Sequence, residues 1–206
     1  MRTDAIRPAR THYPSIRPSS RAERKPFLDE PNQQRRVIYR GRKVDLALQP
    51  IRLADGSVAD REVVVHRGAV ALVPMVDRDH VCLLKNYRYA VGRDLIELPA
   101  GTIDAGETPD STAPRELAEE TGYRAGTITR IAEWFVSPGV MNERMHLYLC
   151  EDLSPGPTDH QPDERIEPLV IPWVEAVAMA LDGRIEDAKS RLAILLCDRR
   201  RQAPGL

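Results

Sequence analysis

The chain has 206 residues, enough for one α/β domain with a real core plus an extension. A formal net charge of −1 gives no overall electrostatic case for binding nucleic acid or a membrane surface. Cys82, Cys150 and Cys197 stand far apart, each in an apolar segment, which reads as buried free thiols rather than a disulfide framework or a metal site. No apolar run approaches transmembrane length and no signal-peptide pattern opens the chain, so a cytoplasmic protein is expected.

Residues 1–35 carry many arginines, prolines and serines but few large apolar residues, the composition of a disordered or loosely docked basic arm. From Val37 the pattern turns to short strands. VIYRGRKVDLALQPIRL alternates on either side of a turn at Gly41, and Asp55-Gly56 is a second turn leading into REVVVH. AVALVPMV and HVCLLKNYRY are two apolar strands joined by the polar turn Asp77 to Asp79, and Leu95 to Leu98 is another short strand. Further strands follow at Thr127 to Val136 and Met145 to Cys150, flanking a Ser137-Pro138-Gly139 loop. A long polar loop, residues 154–165, precedes a strand from Ile166 to Trp173. Val174 to Leu181 and Asp187 to Arg199 read as helices, the second with a basic C-terminal end that suits its dipole.

Between these strands lies GTIDAGETPDSTAPRELAEETGY, residues 101–123. Thr108 reads as a helix N-cap, Pro109 as the first helical position and Gly122 as the left-handed stop. Pro114 falls inside that span without an N–H for the carbonyl of Asp110, so the helix is either kinked or regular only from Pro114 onward. Glu116, Glu119 and Glu120 stand at i, i+3 and i+4, on one helical face, where like charges repel unless a cation sits among them. Arg115 can pair with Glu107 or Glu119, but one guanidinium does not neutralise four carboxylates. A hard divalent ion, Mg²⁺ or Mn²⁺, would.

The fixed residues Gly101, Glu107, Arg115, Glu116, Leu117, Glu119, Glu120, Gly122 and Tyr123 fit G-x5-E-x7-R-E-U-x-E-E-x-G-U, with U a bulky apolar residue. The stretch resembles the signature of the Nudix hydrolases, which cleave nucleoside diphosphates linked to another moiety. Over roughly residues 37–200 the resemblance is closest to ADP-ribose pyrophosphatases: Asn86-Tyr87-Arg88 and Leu98-Pro99-Ala100-Gly101 precede the box, Pro138 follows it, and Asp187-Ala188-Lys189 lies near the C-terminus. It implies hydrolysis of ADP-ribose to AMP and ribose 5-phosphate, with GDP-mannose or another nucleotide sugar as the alternative substrate and a silent nucleotide-binding module as the remaining one.

Strands on both sides of one helix, with more helix at the C-terminal end, fit an α/β/α sandwich with a mixed sheet, as the resemblance also implies. Residues 36–62 read as a small added β unit whose edges suit packing against a second subunit, and residues 63–206 as the catalytic domain. The resemblance implies a homodimer. It also implies metal ligation by Glu116 and Glu120, supported by Glu119 and joined by the carbonyl of Ala100, and assigns the loop glutamate Glu164 to activating water. Glu107 and Arg115 would form an ion pair that aims the helix. Arg88 suits a phosphate, having a permanent charge and a fork; Glu97, Glu143, Pro138 and Gly139 complete the candidate substrate-binding set. His160 on the loop is the weaker candidate base, and Tyr39 and Trp173 could each stack on a base or serve the core or the surface.

Overall fold

A computed structural model describes residues 35–160 and 164–202. The expected arm therefore lies, except for Arg35, outside the described residues. Strands β1 (Arg36–Arg40), β2 (Asp45–Arg52) and β3 (Val58–Val65) form an antiparallel sheet in the order β1-β2-β3. The turn between β2 and β3 closes as Asp55 accepts the N–H of Ser57 through its side chain and Gly56 takes φ 85°.

The remaining strands are β4 (Ala69–Pro74), β5 (His80–Arg88), β6 (Arg93–Glu97), β7 (Ala100–Thr102), β8 (Tyr123–Phe135), β9 (Arg144–Pro155) and β10 (Ile166–Pro172), with helices α1 (Pro109–Thr121), α2 (Trp173–Asp182) and α3 (Ala188–Gln202). A mixed sheet runs β7-β4-β9-β8, its β4–β9 pair parallel and its other pairs antiparallel. A second, antiparallel sheet runs β10-β5-β6. The consecutive apolar strands β4 and β5 thus part into different sheets, with an isolated bridge between Met75 and Val81 at their junction.

Strand alternation explains the layers. Ala69, Ala71 and Val73 of β4 pack with Ala176 and Ala180 of α2 and Ala193, Ile194 and Cys197 of α3. Val70 and Leu72 face the other way, onto Ala113 and Leu117 of α1. On the parallel neighbour, Met145 and Leu147 join the first cluster, and Tyr148 and Cys150 the second. With helices on both faces, β4 is buried along its whole length, which is why it reads as a continuous apolar run. All three cysteines are free and buried, and burial pushes their thiols up, to about 11 for Cys82 and Cys197 and about 12 for Cys150. No helix among the described residues is long and apolar enough to cross a membrane.

Helix α1 runs unbroken from Pro109 to Thr121, so its regular part does not wait for Pro114. The capping at its start is reciprocal: the Thr108 hydroxyl accepts the Ser111 N–H at 3.2 Å, and the Ser111 hydroxyl accepts the Thr108 N–H at 3.0 Å. Gly122, at φ 72°, ends it by donating its N–H to the Ala118 carbonyl.

Candidate active site

Helix α1 buries two adjoining rows of side chains. Ala113 and Leu117 form the apolar row, and Glu116 and Glu120, four residues apart, lie in the row beside it. That second row faces β7, where Gly101 leaves room for a carboxylate. A Cβ at Gly101 would sit 1.8 Å from the Glu116 carboxyl carbon. The box therefore starts with glycine because the Glu116 head group occupies the space a side chain would fill. Ala100, the preceding residue, donates its N–H to Glu120 Oε2 at 2.8 Å.

The entry to β7 is held from several directions. Leu98 N–H donates to the Ser190 hydroxyl at 2.7 Å, the Pro99 carbonyl accepts from Leu72 N–H, and Ile103 N–H donates to the Gly68 carbonyl. Ser190 is placed by Asp187, whose carboxylate accepts the Ser190 N–H at 2.9 Å at the start of α3.

Arg115 reaches both of the partners expected for it and a third. Its Nε and Nη2 each donate to Glu107 at 2.9 Å, and its Nη1 donates to Glu116 at 2.9 Å and Glu119 at 3.0 Å. Glu107 also accepts the Thr112 hydroxyl at 2.8 Å. The Arg115 fork, followed by the Thr112 hydroxyl, holds the Glu107 carboxyl down at about 2. The box loop is thereby clipped to the helix by an ion pair.

Glu116 and Glu120 move the opposite way. Burial is the main cause for both, lifting Glu116 to about 7 and Glu120 to about 8, and neighbouring carboxylates add to it. Glu164 is one of those neighbours for each, so the structure brings the expected loop glutamate within electrostatic reach of the helix pair. Among the described residues no three acidic, histidine or cysteine side chains converge on one point. Arg115 lies between Glu116 and Glu119, and Glu120 turns to the Ala100 N–H. The donor set still suits a hard cation: oxygen ligands only, two of them buried carboxylates whose ionisation is opposed by their surroundings.

A second charged cluster lies alongside. Arg88 grips Glu97 with Nε at 2.7 Å and Nη2 at 3.0 Å, and Lys189 donates to the same carboxylate at 2.6 Å while pairing with Asp187 at 3.0 Å. Two expected substrate residues, Arg88 and Glu97, thus bind each other. Glu97 is only 1% exposed, yet it has two cations, and the charge of Arg88 is felt by Glu120. The role of Lys189 follows from a contact across the fold. Its only sequence signal is the Asp187-Ala188-Lys189 triplet.

The other candidates have partners or exposures of their own. Pro138 and Gly139 are exposed on the loop between β8 and β9. The Glu143 carboxylate lies 3.8 Å from His66 Nδ1. Trp173 is buried in the core, where its ring N–H donates to Asp198 and the Arg201 guanidinium covers its face at 5.0 Å. Tyr39 stands on β1, 63% exposed. His160 has a partner, since its Nε2 lies 3.0 Å from the Glu120 carbonyl, while the Asp159 N–H donates to the Glu119 carbonyl. Both contacts satisfy carbonyls at the end of α1. A cavity of about 570 Å³ bordered by Asp77, Arg78, Trp173, Arg200 and Arg201 contains none of the box residues.

Comparison with known proteins bears on this geometry. Residues 65–200 match the model of the NUDIX domain. An ADP-ribose pyrophosphatase of Bacillus subtilis (strain 168) is 34% identical over 169 residues, covering 81% of this chain and 91% of that protein. A GDP-mannose pyrophosphatase of Klebsiella pneumoniae is 34% identical over 152 residues, 66% of this chain and 75% of that one. The crystal structure of an ADP compounds hydrolase shares the fold at a TM-score of 0.72 and 23% identity, covering 84% of this chain and 94% of its own. Members of the matching family generally depend on a divalent metal. With its box carboxylates gathered between α1 and β7 and the family model matching most of its length, the chain is a Nudix hydrolase.

Proposed function

We propose that this chain hydrolyses the pyrophosphate of a nucleoside diphosphate sugar, with ADP-ribose the preferred substrate and AMP and ribose 5-phosphate the products. The observation that carries the reading is the buried pair Glu116 and Glu120 set against Gly101, two carboxylates whose ionisation burial opposes and a bound cation would favour. In the reaction, water adds to one phosphorus and the bridging P–O bond breaks. Mg²⁺, with Mn²⁺ as substitute, would be held by Glu116, Glu119, Glu120 and the Ala100 carbonyl, and when bound supplies positive charge to the pyrophosphate and lowers the pKa of a water.

The chain's own residues divide the remaining work. Glu164 takes the proton of the attacking water. Arg115 and Glu107 hold the helix at its angle to the box loop. Arg88, oriented by Glu97, attracts phosphate, and Pro138, Gly139 and Glu143 shape the side on which the nucleotide enters. The domain division at residues 36–62 and 63–206, a homodimer built through the N-terminal unit, and a cytoplasmic site of action complete the proposal. The exposed Ile38, Tyr39 and Val58 of the three-stranded sheet support the dimer.

The similarity to pyrophosphatases named for ADP-ribose and for GDP-mannose supports the reaction and keeps GDP-mannose as the second substrate reading. The test is product analysis with Mg²⁺ over ADP-ribose, GDP-mannose, UDP-glucose, a dinucleoside polyphosphate and NADH, beside Glu120→Gln. AMP and ribose 5-phosphate formed preferentially from ADP-ribose, and lost in the variant, are expected. Preference for another nucleotide sugar would keep the reaction and change the substrate, and turnover of none would refute the proposal.

A further inference from the structure

The segment joining the N-terminal sheet to the catalytic domain is bonded both to the loop leading into the box and to the loop that carries Pro138 and Gly139. On one side, Gly68 accepts the Ile103 N–H at 3.0 Å, which ties the segment to the loop leading from β7 into the box. On the other, the His66 N–H donates to Asn142 Oδ1 at 2.7 Å. The loop carrying Asn142 also lies along the edge of β3. Val64 N–H donates to the Val140 carbonyl at 2.8 Å, and Asn142 N–H donates to the Val64 carbonyl at 3.3 Å, making a parallel bridge between Val64 and Met141.

His66 adds a local closure. Its Nδ1 accepts the Gly68 N–H at 3.0 Å, shaping the turn in which Gly68 adopts φ 101°, and its side chain is 8% exposed. The turn is closed to a side chain, because a Cβ at Gly68 would come within 3.2 Å of the Arg144 carbonyl. Of the three bonds that hold the loop to β3 and His66, the one made by Asn142 Oδ1 is the only one a side chain supplies. It is therefore the one that sequence controls.

The geometry points to Asn142 as a positioning residue for substrate selection. It fixes the Ser137–Asn142 loop to the N-terminal sheet, so that the sheet sets where Pro138 and Gly139 meet the nucleotide sugar. The inference rests on the reading of that loop as substrate-facing. Asn142 bonds to none of the box carboxylates, so its loss weakens binding of the substrate and of the transition state alike, leaving the chemical step intact. Asp at 142 keeps an oxygen acceptor for the His66 N–H, whereas Ala leaves that donor without one.

The test is steady-state kinetics of the full chain with Mg²⁺, on whichever nucleotide sugar it hydrolyses best, for Asn142→Ala and Asn142→Asp. Hydrogen–deuterium exchange at the His66 and Val64 amides runs alongside. Asn142→Ala is expected to raise KM about tenfold with kcat within about twofold, and Asn142→Asp to restore KM to within about twofold of the parent. The His66 amide is expected to exchange faster in Asn142→Ala and to remain protected in the parent and in Asn142→Asp. An unchanged KM in Asn142→Ala, a loss confined to kcat, or an Asp variant as impaired as the Ala variant would overturn the inference. Failure of the parent to hydrolyse any nucleotide sugar would sink the functional reading, and the inference about substrate selection with it. Amide exchange would then still show whether the clamp itself exists.

Discussion

Gly101→Ala adds one methyl group, and the structure places it against the head group of Glu116. The new Cβ would lie 1.8 Å from the Glu116 carboxyl carbon and 2.0 and 2.2 Å from its oxygens. The backbone at 101 is outside the left-handed region, so alanine itself is not strained there. Relief must come from Glu116, whose carboxyl has to retreat by about 1.6 Å to reach ordinary van der Waals separation. Because that group ends a flexible chain, the cost to folding is small: an off-rotamer side chain and one weakened bond to Arg115, together about 1–2 kcal/mol. A melting temperature lower by about 2–8 °C is expected. The cost to catalysis is larger, since moving a reacting group by about 1 Å can cost about 100-fold. Circular dichroism melts and Mg²⁺-dependent kcat/KM on ADP-ribose separate the two. A variant within threefold of the parent in activity would show that Glu116 does not need the place this geometry gives it. Loss of activity only in step with loss of fold would assign Gly101 a backbone role instead.

Arg115→Lys keeps the charge but loses the fork that binds Glu107, so kcat/KM is expected to fall at least about tenfold with about 1–2 kcal/mol of stability; kinetics beside urea denaturation measure both, and near-parental values would reduce the ion pair to decoration. Pro114→Ala restores an N–H for the Asp110 carbonyl at an exposed position of α1, and a melting temperature higher by about 4–8 °C is expected from about 2 kcal/mol. A lower one would mean that the proline's restriction of the unfolded chain outweighs the missing bond. The pH dependence follows from Glu116 at about 7 and Glu120 at about 8, both above the ordinary 4.5 of the unfolded chain. Their protonated forms contribute stability in full below 4.5, and that contribution is lost as pH rises through 7 and 8. Thermal melts of the metal-free protein should therefore fall from pH 6 to 9, while the increment from Mg²⁺, which binds the ionised forms, should grow over the same range. An increment independent of pH would argue against these two carboxylates as ligands.

What was legible in the sequence was local. Glu116, Glu119 and Glu120 share one turn of helix, and Thr108 and Gly122 cap it with residues whose short-range chemistry suits those positions, so spacing alone located the cluster. The alternation of β4 and β9 did not say which sheet β5 would join, because a strand covered on both faces reads as one apolar run. Contacts between distant segments left little trace. Glu97 was listed only as a substrate candidate, and its burial between Arg88 and Lys189 depends on α3 packing beside β6. His160 looked like an isolated loop histidine until the fold set it on the Glu120 carbonyl. From sequence Glu143 reads as a substrate-binding candidate with no visible partner, and the pairing of its loop with β3 sets it beside His66. Trp173, at a strand end, was open to either reading, and the bond to Asp198 placed it in the core.

In the proposed reaction Glu116 and Glu120 act by holding a divalent metal for pyrophosphate hydrolysis. The most direct measurement is AMP release from ADP-ribose by the full chain stripped with a chelator and titrated with Mg²⁺, compared with Glu116→Gln and Glu120→Gln. The expected result is no turnover in the stripped protein, recovery that saturates with Mg²⁺, and variants that stay folded but fail to recover at the same concentrations. Turnover that persists in the stripped protein, or variants that recover like the parent, would contradict it.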